Sequence, residues 1–223
     1  MKQEFDNGVV YCGDSLELID SLEFDVMITD PPYGINLGEH SGAKETRSGL
    51  LVKKSGYEDT VDYFDKIVVP IITKGIELSK RSMVFSVPPN MWKFPAPDVI
   101  GGVFIGCAVG RNKWGWSNMI HCLLYGTAPN LNLGAKTTAI ANSNLPEKFP
   151  HPTVKPLQWL KWAVDLGSKE NEIILDPFAG SGTTAIACIN FNRRFIMIEK
   201  DEKYFELTCK RIMYEESQLK LQF

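Results

Sequence analysis

Short apolar runs closed by glycine, proline or acidic turns alternate along the chain with longer segments whose apolar residues recur every three or four positions. The short runs predict strands over residues 9–12, 25–29, 82–86, 103–108, 119–125, 172–175 and 194–198, seven in all. The longer segments predict helices over 15–21, 60–79 with Pro70 interrupting it, 156–166, 183–189 and 202–218. Pro156 opens one helix and Gly167 closes it, the usual asymmetry of helix ends, and Leu157, Leu160, Ala163 and Val164 form its inward stripe. Asp201 is the expected N-cap of the last helix, whose stripe is Phe205, Thr208, Ile212 and Met213. Strands alternating with helices give an α/β fold with one sheet. Two stretches, 36–59 and 126–150, carry little apolar periodicity and read as loops, the first of them mobile. Loops of that length in a compact domain are commonly functional or disordered.

Composition narrows the class. The chain has 223 residues, 44% hydrophobic and 11% aromatic, enough for the packed core of one large domain or two small ones. No apolar run reaches the length of a membrane span, and the amino terminus lacks the pattern of a signal peptide, so the expected location is cytoplasmic. Five cysteines without CxxC spacing and three scattered histidines point to buried thiols and to no structural metal. The net charge of −3 is awkward for a nucleic-acid binder, because phosphate contacts need lysine and arginine. Basic residues are instead clustered locally: Lys44, Arg47, Lys53 and Lys54 in one polar segment, Arg111 and Lys113 beside Trp114 and Trp116 in another. Each cluster reads equally well as a nucleic-acid contact or a solvated loop. For the two tryptophans, packing in a core or a dimer is favoured over stacking on bases.

Candidate chemistry sits in two turns. Asp30, Pro31, Pro32 and Tyr33 follow the apolar strand of DVMITDPPYG, at the strand's carboxyl end, where open α/β sheets place their ligands. The second turn, in EIILDPFAGSGTTAIA, joins a strand to a helix through glycines, with Gly180, Gly182 and Ala185 in G-x-G-x-x-A spacing. Glu199 ends the next strand, placed to accept both ribose hydroxyls. The pattern describes a nucleoside-binding unit. It also suits a dinucleotide dehydrogenase, but only one helix follows Glu199, which leaves no chain for a second nucleotide-binding half. The strand VVYCGD supplies the missing neighbour if it is placed first in sequence by permutation. Asp14 at its end then accepts from an adenine amino group, caps the following helix, or does both.

GDSLELI at 13–19, DPPYG at 30–34, HCLLYG at 121–126, HPTVKP at 151–156, DPFAGSGTT at 176–184 and FIMIEKDEKYFELTCKRI at 195–212 occur in one order across nearly the whole chain. In these six pieces the sequence resembles the β-class, circularly permuted, S-adenosylmethionine-dependent amino-DNA methyltransferases, which act on adenine N6 or cytosine N4. The resemblance implies a single Rossmann-like methyltransferase domain over 1–223. Its expected sheet is seven-stranded and mostly parallel, with helices on both faces.

The resemblance also assigns roles. Asp176, Phe178, Gly180, Ser181, Gly182 and Thr183 would hold the cofactor, with Glu199 at the ribose, Asp14 at the adenine, and Thr153 and Lys155 at the methionine carboxylate. Asp30, Pro31, Pro32 and Tyr33 would form the catalytic turn. Lys44, Arg47, Lys53, Lys54, Arg111 and Lys113 are the candidate DNA contacts, and a restriction-modification setting is implied. The aspartate form of the turn resembles the adenine-N6 members more than the cytosine-N4 members. One departure stands out: the family's target-recognition region is reduced here to 127–150, too short for a folded module. Selectivity would then be low, come from the loop at 36–59, or need a homodimer or a partner subunit. Alternatives are a cytosine-N4 enzyme, an RNA or protein methyltransferase, and a non-catalytic subunit of a larger methylating complex.

Overall fold

The computed structural model describes residues 1–36, 58–106, 110–129, 136–142 and 154–220. Its strands are β1 (Lys2–Glu4), β2 (Gly8–Cys12), β3 (Val26–Thr29), β4 (Arg81–Ser86), β5 (Val99–Phe104), β6 (Gly110–Asn112), β7 (Gly115–Ser117), β8 (Met119–Tyr125), β9 (Ala139–Ala141), β10 (Ile173–Asp176) and β11 (Arg194–Glu199). Nine of them form one sheet in the order β1-β2-β11-β10-β3-β4-β8-β5-β9, and β6 and β7 make a separate hairpin. The five strands from β2 to β4 in that order are mutually parallel. β1 and β8 run against their neighbours.

The seven-stranded, mostly parallel sheet expected from sequence is therefore corrected to nine strands of mixed direction. The additions, β1 and β9, are three residues each and have no hydrophobic alternation to betray them. β5 begins four residues earlier than predicted. Its Gly101 and Gly102 lie inside the strand, where the neighbouring backbone passes close: a Cβ on Gly102 would sit 2.2 Å from the Ile120 carbonyl oxygen.

The helices are α1 (Ser15–Leu18), α2 (Val61–Tyr63), α3 (Val69–Leu78), α4 (Leu157–Gly167), α5 (Thr183–Asn190) and α6 (Glu202–Lys220). Pro70 does not interrupt its helix. A π turn over Phe64–Val68 joins α2 to α3, and its wider ladder carries the Val69 N–H back to the Phe64 carbonyl just before the proline, which has no N–H to place.

One face of the sheet packs on α4, α5 and α6 through residues such as Ile28, Phe85, Leu160, Ile186, Met197 and Phe205. The other face packs on α1, α2 and α3 through Met27, Phe64, Val84, Ile71 and Leu175. β3 and β10 are covered on both sides, which is why they read as continuous apolar runs. The carboxyl ends of β2, β11, β10 and β3 thus meet along one edge, and the loops that leave them carry the candidate chemistry. Among the described residues no helix is long and apolar enough to cross a membrane.

Candidate active site

The glycine loop between β10 and α5 is held from several sides. Gly182 is the residue before α5 and has φ of +73°, while a Cβ there would lie 2.7 Å from Thr208 Cγ2, so glycine is required twice over. α6 clamps the loop: Thr208 Oγ1 donates to the Gly180 carbonyl at 2.9 Å, and Arg211 Nη1 donates to the Ser181 carbonyl and to Thr183 Oγ1, both at 2.9 Å. Sequence reasoning saw Thr208 only as part of an inward stripe and missed Arg211. Ser15 Oγ donates to the Pro177 carbonyl at 2.6 Å, tying the end of β2 to the same loop.

Two carboxylates sit in that frame. Asp176 is 2% exposed; its oxygens accept from Thr29 Oγ1 at 2.7 Å, Thr184 Oγ1 at 2.6 Å and the Phe178 N–H at 3.0 Å. Burial pushes its pKa up to about 6 despite these donors. Glu199 accepts from the Gly180 N–H at 2.8 Å and the Asp201 N–H at 2.9 Å, and burial lifts its pKa to about 7. Each carboxylate oxygen has two lone pairs, so Glu199 keeps acceptor capacity for two further hydroxyls. Asp14 serves as the N-cap of α1, accepting from the Leu16 N–H at 2.9 Å, and its other oxygen receives Lys200 Nζ at 3.1 Å. Lys200 falls within the matched piece at 195–212 but was assigned no role there.

The second turn, Asp30 to Gly34, is built from farther away. Gly34 has φ of +66°, and a Cβ there would lie 2.7 Å from Phe64 Cβ. Asp59, 3% exposed, accepts the Gly34 N–H at 2.7 Å, and Asn90 Nδ2 donates to the carbonyls of Tyr33 at 2.8 Å and Gly34 at 2.9 Å. Neither Asp59 nor Asn90 was foreseen. The Asp30 carboxylate is shared between two neighbours: Tyr33 Oη donates at 2.6 Å, and Lys155 Nζ stands 2.9 Å from the other oxygen. Lys155 Nζ also lies 4.9 Å from the centroid of the Tyr33 ring, which is 8% exposed.

Both turns open into one pocket of about 320 Å³, whose lining includes Asp14, Asp30, Lys155, Phe178, Gly180 and Glu199. Its lining sets a carboxylate beside each lysine, Asp30 with Lys155 and Asp14 with Lys200, and Phe178, Ile71 and Ile198 add apolar wall. Asp176, Ser181, Thr183 and Pro32 also line it, while Pro31 and Tyr33 are buried beside it. Thr153, Lys44, Arg47, Lys53 and Lys54 lie outside the described residues. Arg111 belongs to β6, and Lys113 is exposed in the turn to β7. Trp114 and Trp116 are 97% and 71% exposed, which overturns the core half of the expectation that they pack in a core or a dimer.

The comparisons with known proteins fall on the same ground. The N6/N4 methyltransferase family model, described as DNA methylase, matches residues 112–210. The type II methyltransferase M2.LlaDCHI of Lactococcus lactis subsp. cremoris is 26% identical over 94% of this chain and 90% of its own length. The DNA adenine methyltransferase YhdJ of Escherichia coli is 42% identical over a shorter stretch, 28% of this chain and 21% of that protein. The crystal structure of an M1.HpyAVI–SAM complex superposes with a TM-score of 0.63, covering 91% of this chain and 98% of that one, at 22% identity, and so shares the fold.

Proposed function

We propose that this chain, whose family match and relatives support a place among the N6/N4 amino-DNA methyltransferases, transfers a methyl group from S-adenosylmethionine to the N6 of an adenine extruded from DNA. The observation that carries the reading is the shared pocket, in which the Asp30 turn and the Gly180 loop meet across about 320 Å³. The residues fit the cofactor. Glu199 would accept ribose hydroxyls, Asp14 an adenine amino group, Phe178 would give an apolar wall, and Lys155 would receive a carboxylate, a role the sequence resemblance also gives Thr153. The tight approach of Gly182 to Thr208 fixes the loop against α6, and Gly180 and Ser181 of that loop line the pocket. When bound, S-adenosylmethionine supplies an electrophilic methyl group on sulfonium sulfur.

The protein's own work is done at the amine. An exocyclic amine is a weak nucleophile because its lone pair is delocalised into the ring. The Asp30 carboxylate and the Pro31 carbonyl accept its two N–H bonds, which favours a tetrahedral nitrogen and frees the lone pair. Pro31 and Pro32 stiffen the turn, and Tyr33 offers a flat face for a base that has left the duplex. Asp59 and Asn90 hold the turn's backbone, so the acceptors stay aimed without moving during reaction.

The order of elements fits a permuted fold, with β2 and its Asp14 beside β11 although they come first in the chain. We take 1–223 as one cytoplasmic methyltransferase domain. The loop at 36–59 with Lys44, Arg47, Lys53 and Lys54, together with Arg111 and Lys113, would contact DNA. The short segment 127–150 leaves sequence choice to that loop, to a homodimer, or to a partner subunit. Adenine is preferred to cytosine because YhdJ is named an adenine enzyme and because the turn begins with aspartate. The test is labelled S-adenosylmethionine with unmethylated DNA, followed by digestion to nucleosides, beside an Asp30→Ala control. Labelled N6-methyldeoxyadenosine that disappears in the control is expected. N4-methyldeoxycytidine would overturn the choice of base, and unlabelled DNA despite bound cofactor would overturn the activity of the chain alone.

A further inference from the structure

A lysine faces the carboxylate of the Asp30 turn in this pocket. Lys155 Nζ stands 2.9 Å from Asp30 Oδ2, and both side chains are only 18% exposed, so the pair is largely out of water. Tyr33 Oη holds the other carboxylate oxygen at 2.6 Å. Each oxygen of the acceptor on which the reaction depends thus has one partner and a lone pair to spare, while the ammonium offsets the carboxylate's negative charge. The next positive side chain along the pocket lining, Lys200, is engaged with Asp14 at 3.1 Å. At the end of the pocket where Asp30 lies, Lys155 is the cation that lines it.

From this arrangement we infer that Lys155 is a positioning residue that couples the two halves of the site: it neutralises Asp30 while the pocket is empty and is drawn off when a ligand carboxylate enters. This rests on the pocket taking an amino-acid nucleoside. A lysine ammonium is a point charge on a flexible stem, suited to being passed between two carboxylates where a bidentate arginine would stay locked. Leaving Asp30, Lys155 restores the full negative charge of the acceptor that meets the target amine. The base is then received productively only after the cofactor, and Asp30 is screened from stray cations until then. Because the coupling is a free energy between two sites, it must also appear in reverse. Removing the Asp30 charge releases Lys155 and tightens binding of any ligand that carries the carboxylate.

The experiment is calorimetric binding of two probes to purified protein. S-adenosylhomocysteine carries the carboxylate; 5′-methylthioadenosine lacks the amino-acid end. Wild type is compared with Asp30→Asn, Lys155→Met and the double variant. Asp30→Asn should bind S-adenosylhomocysteine at least fivefold tighter and methylthioadenosine within twofold of wild type. In the Lys155→Met background the same substitution should give no gain. A gain that persists without Lys155 would mean simple repulsion by Asp30 and overturn the coupling, as would no gain at all. Methylthioadenosine binding checks that each variant is folded. If wild type binds neither probe, the nucleoside reading of the pocket fails, and the coupling with it.

Discussion

The two halves of the pocket are built in opposite ways. The glycine-loop half, from β10 and β11, has its polar groups fixed mainly by backbone and by α6, and Glu199 sits with lone pairs to spare. The Asp30 half has its reactive carboxylate occupied by Tyr33 and Lys155, and its backbone is held by Asp59 and Asn90 from separate parts of the chain. One half holds its carboxylate with backbone N–H groups alone, and the other sets a charged side chain against it. The sharpest way to break this contrast is to damage each half separately. Asp30→Ala should lower methyl transfer by about a thousandfold or more, since it removes an acceptor aimed at the reacting nitrogen, while S-adenosylhomocysteine still binds. Gly182→Ala should do the reverse, weakening S-adenosylhomocysteine by tenfold or more because the new Cβ meets Thr208 Cγ2 at 2.7 Å and φ is +73°. Equal losses of binding in both variants would show that the halves are not separable.

Next in size is Asp59. Removing its carboxylate with Asp59→Ala leaves the buried Gly34 N–H without its acceptor, and that of Ile35, 3.4 Å away, without a weaker one. An unpaired buried N–H costs about 1–3 kcal/mol. Denaturant unfolding should show a loss in that range, and turnover should fall about tenfold with S-adenosylhomocysteine affinity within twofold. A variant that loses stability but keeps full turnover would show that the turn needs no outside support.

What was legible in the sequence follows the same division. The glycine loop and the Asp30 turn are local: strand, turn chemistry and helix start stand within a dozen residues, so their positions could be read directly. Glu199 was legible because a strand of fixed length carries it to the same edge. Asp59 and Asn90 were not, because their bonds to the turn span 25 and 57 residues and nothing local marks an aspartate that accepts from a distant N–H. The basic residue Lys155 stood in a recognisable motif, yet its contact with Asp30 is a tertiary fact. At the sheet edges, β1 and β9 escaped because three-residue strands are specified by the neighbour they pair with and carry no periodicity of their own. The exposure of Trp114 and Trp116 escaped for a related reason: aromatic content signals burial on average, and the hairpin that carries them stands apart from the main sheet.

Glu199 sharpens the contrast through pH. With its pKa raised to about 7 by burial, it is mostly protonated below that value in the empty pocket. Ribose hydroxyls donate to the ionised form, so binding must release a proton at lower pH. Affinity for S-adenosylhomocysteine should therefore rise with pH, by up to about tenfold per unit below 7, and level off above it. Stability of the empty protein runs the other way: a carboxyl whose folded pKa exceeds its unfolded value contributes stability that is lost as pH climbs from about 4.5 to about 7. Glu199→Gln should flatten both slopes. Calorimetry in buffers of different ionisation enthalpy counts the protons directly, and an affinity that is flat from pH 5 to 8 in wild type would remove Glu199 from the ligand's contacts.

The smallest effect is expected at the hairpin. Lys113 stands exposed in the turn between β6 and β7, next to Trp114, which is 97% exposed. A lysine that meets one phosphate contributes about one counterion to the salt dependence of binding and only a few-fold in affinity near physiological salt. Lys113→Ala should therefore weaken DNA by a few-fold and reduce the slope of log affinity against log salt by about one. S-adenosylhomocysteine binding should be untouched. An exposed side chain away from the pocket should also change folding stability by no more than about 0.5 kcal/mol, so a change in DNA affinity cannot be a folding effect in disguise. An unchanged salt slope would take the hairpin off the DNA and leave phosphate contact to the other basic segment, since a net charge of −3 gives the chain no general attraction to fall back on.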